Sequence, residues 1–178
     1  SSSSLIQSTV SGNHIFMLLS PLSYQEIFTA YVLASVVRGL MVGLGIYLVT
    51  LAFFELPLYS FAWVFTFALI GAALLGALGI IAGIWAEKFE QLAALQNFIV
   101  LPLTFLSGVF YTIPSLPPFW RGLSYMNPFF YMVDGFRYGF FRVSDVSPYL
   151  SLGILVTWFL VVSWCTLRML KTGYKIRK

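Results

Sequence analysis

The chain has 178 residues, of which 60% are hydrophobic and only 9% are charged, and its formal net charge is +4. Soluble domains carry about 25% charged residues, so this composition excludes an ordinary water-soluble protein and indicates a membrane protein. The single cysteine, Cys165, excludes an internal disulfide.

Residues 1–26 begin as a polar, serine-rich leader and become amphipathic. The leader lacks the basic and apolar regions of a secretory signal peptide, and without an initiating Met we expect the chain to be part of a longer protein. A short apolar stretch follows that suits a two-turn helix on the membrane surface. Its apolar and bounding residues are Gly12, Ile15, Phe16, Leu18, Leu19 and Pro21.

Four nearly uncharged windows come next, and each can hold a helix of about 20 residues, which crosses about 30 Å of hydrocarbon. Spans A, B and C are predicted within residues 27–54, 62–86 and 92–112, so that 27–112 holds three transmembrane helices. Span D is predicted at 148–167.

Small and helix-breaking residues mark these spans. Gly39 with Gly43, and Gly79 with Gly83, form small-xxx-small pairs that let helix backbones approach closely. Packing within one subunit is the preferred explanation over a dimer seam. Pro102 is expected to kink span C or to free a carbonyl near its middle.

Arg38 is the one ionisable residue inside a predicted span. Charged groups within membranes usually face a bundle interior or an aqueous cavity, which would make Arg38 functional. The alternative is that span A begins near Ser35, so that Arg38 reaches the cytoplasmic interface. The sequence leaves both open.

The C-terminal segment 168–178 carries five basic residues and no acidic residue. Basic residues beside a span mark the cytoplasmic side, so we predict a cytoplasmic C-terminus. Four spans then place residues 1–26 on the same side and residues 113–147 outside. Beside a span, this charge indicates topology or anionic lipid rather than nucleic acid.

The outer segment is rich in proline and aromatic residues. Three prolines, among them Pro117 and Pro118, fall within nine residues and predict a turn or a broken helix. Between residues 110 and 142, 12 of 33 side chains are aromatic, which is typical of the membrane interface.

A short helix is predicted in the second half of this segment. Asn127 and Pro128 suit the N-cap and first helical positions. A helix over 128–142 would be about 22 Å long, too short to cross, and is interpreted as interfacial or re-entrant. Asp134 and Arg137 are three residues apart on one face and are expected to pair.

Signatures of enzymes are largely missing from the sequence. The one histidine, His14, has no second ligand near it for a metal site. No nucleophile lies near a base, and no G-x-x-x-x-G-K-[ST] motif is present. We therefore expect neither catalysis nor a cofactor on this chain.

The run "PLTFLSGVFYTIPSLPPFWRGLSYMNPFFYMVDGFRYG", residues 102–139, resembles the membrane subunits of type 2 ABC exporters, the ABC-2 permease family. The stretch "LLSPLSYQEI", residues 18–27, resembles the segment between the family's cytoplasmic coupling helix and the next span. The resemblance covers essentially the whole chain. Asn127, Pro128 and Arg137 are more diagnostic than Asp134.

The resemblance implies an all-α integral membrane fold with six spans, of which four lie here. It also implies a dimer, homomeric or heteromeric, that binds two ATPase subunits carrying ATP and Mg²⁺ in a bacterial inner membrane. The apolar stretch from Gly12 would be the coupling helix, and the outer segment would close the exit. The implied gate residues are Pro117, Pro118, Asn127, Pro128, Tyr131, Asp134 and Arg137.

The function indicated is ATP-driven export, with polysaccharides, glycolipids or other amphiphiles as possible substrate classes. The alternative is a four-span structural or scaffold protein without transport activity. Such proteins often stabilise large outer loops with cysteine pairs, which this outer segment lacks. A channel or secondary transporter would need more polar groups along the spans than Arg38 alone.

Overall fold

The computed structural model describes residues 23–86, 88–109, 111 and 115–172. None of the residues in these ranges forms a β-strand, so the prediction of an all-α protein is confirmed. The elements in chain order are α1 (Tyr24–Phe53), α2 (Phe61–Trp85), α3 (Phe89–Leu95), a π-helical segment (Gln96–Val100), α4 (Leu101–Phe105), α5 (Pro118–Met126), α6 (Pro128–Phe141) and α7 (Pro148–Thr172).

The predicted coupling helix lies outside the described residues, and so do the last six residues of the basic segment. The assignment of the coupling helix therefore stays a prediction. It concerns residues Gly12, Ile15, Phe16, Leu18, Leu19 and Pro21.

Three helices, α1, α2 and α7, are long and apolar enough to cross a membrane. They contain 30, 25 and 25 residues. At 1.5 Å per residue, even the shorter two extend about 37 Å, which exceeds a hydrocarbon core of about 30 Å. They correspond to spans A, B and D. Helix α7 continues past the predicted end at residue 167, so Arg168 and Lys171 are helical.

A capping box fixes the start of α1. The hydroxyl of Ser23 accepts a hydrogen bond from the Glu26 N–H at 3.3 Å. The Glu26 carboxylate in turn accepts a bond from the Ser23 N–H at 2.6 Å. These bonds satisfy two backbone donors that lie beyond the helical ladder. The helix therefore begins at Tyr24.

Helix α2 is the central element, since α1, α6 and α7 all pack against it. Its buried face contributes Phe67, Ala77 and Ile80 to the core, and Leu155 of α7 is fully buried against them. This burial explains why α2 is rich in small residues, which allow three helices to approach one.

Helices α1 and α2 approach most closely through glycines. A Cβ atom on Gly76 would lie 2.8 Å from the Cβ of Ser35, and one on Gly39 would lie 3.1 Å from the Cβ of Ala72. The close approach predicted for Gly39 is therefore confirmed, within one chain. Its predicted companion, Gly43, has nothing within 4 Å of such a Cβ.

Span C, the remaining predicted span, is shorter than expected. It corresponds to one helical run from Phe89 to Phe105, about 25 Å long, and is not among the three long helices. The π-helical segment Gln96–Val100 ends two residues before Pro102. Proline lacks an N–H and crowds the preceding turn, and a π-helical turn is a common adjustment to such an interruption. The run ends at Phe105, and Gly108 in the turn that follows adopts a positive φ of 79°.

Candidate functional site: the α5–α6 hairpin

Helix α6 lies antiparallel against α2. A Cβ atom on Gly135 would fall on the Phe67 ring. Four residues later, a Cβ on Gly139 would lie 2.6 Å from Val64 Cγ2. As the chain advances along α6, its contacts move backward along α2, so the N-terminus of α6 lies deepest in the bundle.

The depth of this N-terminus follows from the contact of Met132 with Gly71. Gly71 is ten residues from the start of α2, or about 15 Å along its axis. That distance is about half the hydrocarbon thickness. The α5–α6 hairpin, residues 118–141, therefore turns within the bundle. The interpretation of this helix as interfacial or re-entrant stays a prediction.

Asn127 occupies the turn of the hairpin and is 2% exposed. Its Oδ1 accepts a hydrogen bond from the Phe129 N–H at 3.0 Å, which confirms the predicted N-cap. Its Nδ2 donates to the Leu103 carbonyl of α4 at 2.6 Å. One side chain thus joins the end of α4 to the start of α6. We call this pair of bonds the Asn127 clamp.

The end of α4 leaves a carbonyl for the clamp. The Leu106 N–H bonds to the Pro102 carbonyl, and the Ser107 N–H bonds to that of Thr104. These bonds bypass the intervening carbonyl of Leu103, which the Asn127 amide reaches instead. An unpaired carbonyl at this partly buried position would be costly, and the Asn127 amide supplies its donor.

Tyr131 ties the two helices of the hairpin together. Its hydroxyl donates to the Tyr125 carbonyl near the end of α5 at 2.7 Å. The side chain is buried, and the ring packs edge-on against Phe130 with centroids 5.1 Å apart. Tyr131 was predicted as a gate residue, and the structure places it at the turn together with Asn127.

The predicted Asp134–Arg137 pair forms, with an N···O distance of 2.7 Å. Arg137 Nη2 also bonds to Asp145 Oδ2 at 2.8 Å. The Asp134 carboxylate accepts bonds from the backbone N–H groups of Asp145 and Val146 at 2.7 and 3.2 Å. This acidic–basic cluster fastens α6 to the loop that leads into α7.

Burial shifts the pKa values in this cluster, which lies beside the loop before α7 and outside the three long helices. Burial raises the pKa of the Asp134 carboxyl above its ordinary value, although two backbone donors and Arg137 act in the opposite direction. Burial acts to lower the pKa of the Arg137 guanidinium, but the bonds to Asp145 and Asp134 outweigh burial and raise that pKa above its ordinary value. One guanidinium thus serves two carboxylates.

The remaining predicted gate residues lie away from the turn. Pro117 caps α5 and Pro118 begins it, so both lie at the opposite end of α5 from Asn127, about 13 Å along the axis. Pro128 follows Asn127 as the first residue of α6, as predicted. The structure therefore brings Asn127, Pro128 and Tyr131 together, and separates Pro117 and Pro118 from them.

Sequence reasoning missed several partners in this site. Gly135 and Gly139 have the small-xxx-small spacing already noted in the spans, and that signal was available. Leu103 contributes only its carbonyl, and Asp145 lies eleven residues from Asp134. No local pattern identifies those two.

Arg38 lies outside this hairpin. It is exposed on α1 and lines a groove between α1 and α2. The groove has a volume of about 500 Å³.

The comparisons with known proteins identify the class. Residues 1–141 match the family of ABC-2 type transporters. The chain therefore belongs to the ABC-2 type transporter family and is a multi-pass inner-membrane protein.

Among individual proteins, it is similar to the inner membrane transport permease YadH of Escherichia coli strain K12. The two are 36% identical over 151 residues, which cover 83% of this chain and 59% of the relative. The YadH proteins of E. coli O157:H7 and Shigella flexneri give the same values. The chain thus spans about three fifths of the length (59%) of the curated relatives it matches. No solved structure matches it significantly.

Proposed function

We propose that the chain forms part of the substrate pathway of an ATP-driven exporter, and that the α5–α6 hairpin is its extracytoplasmic gate. ATP and Mg²⁺ would bind to a separate ATPase subunit on the cytoplasmic face, and a second permease copy would complete the pathway. Family membership supports this proposal. The residues of this chain contain no P-loop with which to bind ATP themselves.

The Asn127 clamp carries the proposal. A buried side chain that bonds to two separate helices links their positions directly. Neutral hydrogen bonds of this kind contribute only about 0.5–1.5 kcal/mol each to stability. The clamp is therefore strong enough to hold the hairpin and weak enough to open during a transport cycle.

The second half of α6 supports a pivoting motion. There the cluster of Asp134, Arg137 and Asp145 uses charge-assisted bonds, which are roughly twice as strong as neutral ones. In the same half, Gly135 and Gly139 present a flat surface to α2. Movement of α4 would release the turn of the hairpin first, while the end of α6 beside α7 stays fixed.

The substrate class remains part of the proposal. Polysaccharides, glycolipids and other amphiphiles are the candidates that the family resemblance suggests. The exposed aromatic and apolar side chains of the hairpin, such as Phe119, Trp120 and Met126, suit an amphiphile leaving through a membrane interface.

The first experiment is co-purification of the full-length permease with its ATPase subunit from the native membrane. We expect an ATPase to remain bound in mild detergent. Recovery of the permease alone, with its cytoplasmic loops intact, would argue against an exporter.

The gate can be tested without a known substrate. Met126, 74% exposed beside the turn, is replaced by cysteine in a Cys165→Ser background. We expect its labelling by a membrane-impermeant maleimide to differ between the nucleotide-free and vanadate-trapped states. Phe119→Cys, 75% exposed at the far end of α5, is the matched control and should label equally in both.

The clamp is then removed in the same background. Asn127→Ala should raise the labelling of Met126→Cys without nucleotide to the trapped level, while the ATPase still co-purifies. Asn97→Ala, an exposed asparagine in the same helical run as Leu103, should leave labelling unchanged. Loss of ATPase assembly in Asn127→Ala would mean that the clamp is structural rather than a gate.

A further inference from the structure

We propose that Arg38 and the groove between α1 and α2 form a transient site for the anionic headgroup of an amphiphile crossing the bilayer. This inference rests on the proposed export function and adds the charge of the substrate and a place where it binds. It is carried by the depth of Arg38, by its lack of a partner and by the shape of the groove.

The depth of Arg38 follows from the packing of its neighbours. Ser35 packs on Gly76 and Gly39 packs on Ala72, so Arg38 is level with the stretch between those α2 residues. Ala72 and Gly76 are the twelfth and sixteenth of the 25 residues of α2. Arg38 therefore lies at mid-height, which does not match the alternative in which span A begins just before it.

Arg38 is also unlike the other arginines that the structure describes. Arg121 bonds to a backbone carbonyl, and Arg137 pairs with two carboxylates. Arg142 and Arg168 lie over aromatic rings at 5.0 and 4.1 Å. Within the described part of the chain, Arg38 has no hydrogen bond, ion pair or ring contact. A cation at this depth requires an anion or water to stabilise it.

The groove beside Arg38 can admit such an anion. It is an open depression of about 500 Å³ along the seam where α1 and α2 meet, and small residues, including Ala34, Gly39 and Gly76, line it. The groove is open to the side, so an alkyl chain could extend from it over the exposed faces of Met41 and Val42. Small ligand sites in proteins have volumes of about 300–1,000 Å³.

The depth of Arg38 in the bilayer favours a molecule that is being exported over a resident lipid as the bound anion. The phosphate of a bilayer lipid lies at the interface, about 15 Å from the membrane centre. Arg38 lies near that centre, so a resident headgroup would have to leave its own hydration layer to meet it. A headgroup that is being exported must pass this level, and there a guanidinium compensates its lost hydration.

The test uses the full-length permease in phosphatidylcholine vesicles, with a diazirine-bearing alkyl phosphate as the probe. In the wild type we expect crosslinking to α1 and α2 beside Arg38, competed by dodecyl phosphate but not by dodecyl maltoside. Arg38→Gln should raise the concentration of dodecyl phosphate that halves the crosslinking by about tenfold or more, because one charge-assisted contact is lost. Arg38→Lys should retain most of it.

Arg168→Gln is the control, because Arg168 is a second arginine on a spanning helix but lies near its cytoplasmic end. It should leave probe binding unchanged. Equal crosslinking in the wild type and Arg38→Gln would overturn the proposal. So would the absence of wild-type crosslinking, which would mean that another part of the protein covers Arg38.

Vanadate trapping with the ATPase subunit separates the two sources of phosphate. A headgroup in transit should lose its crosslink in the trapped state. Retention of the crosslink, together with bound phosphatidylglycerol that Arg38→Gln loses, would identify a resident lipid and overturn the proposal. The probe binds to the permease in the absence of nucleotide, so the crosslinking assay does not require the ATPase. Failure of the export proposal would instead be seen in the co-purification, as a missing ATPase partner.

Discussion

Gly135→Ala tests the packing of α6 on α2, on which the hairpin geometry depends. The added Cβ would fall on the ring of Phe67. That ring is fully buried and stacks on Trp63 at 5.8 Å, so it has little room to rotate away. Gly122 offers a matched control on the neighbouring helix α5, because a Cβ there would meet nothing within 4 Å.

The magnitude follows from comparing the two variants. Each replaces glycine by alanine in a helix interior, which alone favours folding by about 1 kcal/mol. Overpacking at Gly135 costs about 1–3 kcal/mol, and only that variant bears this cost. Since 1 kcal/mol shifts the Tm of a domain of this size by about 2–4 °C, Gly135→Ala should unfold about 2–12 °C below Gly122→Ala.

The assay is thermal unfolding of the detergent-purified protein, followed by tryptophan fluorescence and by loss of the monodisperse peak on gel filtration. Adding Phe67→Leu to Gly135→Ala should recover part of the lost stability, because the smaller side chain vacates the space of the new methyl group. If Gly135→Ala and Gly122→Ala unfold at the same temperature, α6 does not lie against α2 as described.

Two further predictions concern the bonds that hold the hairpin, and the same unfolding assay measures both. Tyr131→Phe should destabilise the protein by about 1 kcal/mol, because the Tyr125 carbonyl loses its donor; an unchanged Tm would contradict the bond. Asp134→Ala should cost about 2–4 kcal/mol, because Asp134 accepts from two backbone N–H groups as well as from Arg137. A loss below about 1 kcal/mol would mean that these bonds do not hold the cluster together.

Local patterns predicted the hairpin well because its key contacts span few residues. The cap by Asn127 reaches two residues ahead, and the pair of Asp134 with Arg137 spans three. Spacing along one helix determines such contacts, so a sequence can indicate them. The same holds for the long apolar helices, whose length and composition specify them without tertiary information.

The contacts between elements were not predictable in the same way. The bond from Asn127 to Leu103 spans 24 residues and ends on a backbone carbonyl, which any residue could supply. The depth of Arg38 depends on which turns of α1 and α2 meet, and hydropathy does not determine that register.

The π-helical segment Gln96–Val100 determines the direction in which the Leu103 carbonyl of the clamp points. A π-turn holds one residue more than an α-turn, and each residue turns an α-helix by about 100°. Everything beyond the segment, including the Leu103 carbonyl, is therefore rotated about the helix axis relative to an uninterrupted α-helix. If this segment closed as an ordinary α-turn with all of its residues retained, that carbonyl would rotate by about 100° about the helix axis, away from Asn127, and every side chain of the clamp would be intact. The direction of the acceptor thus depends on the π-turn rather than on any side chain of the site.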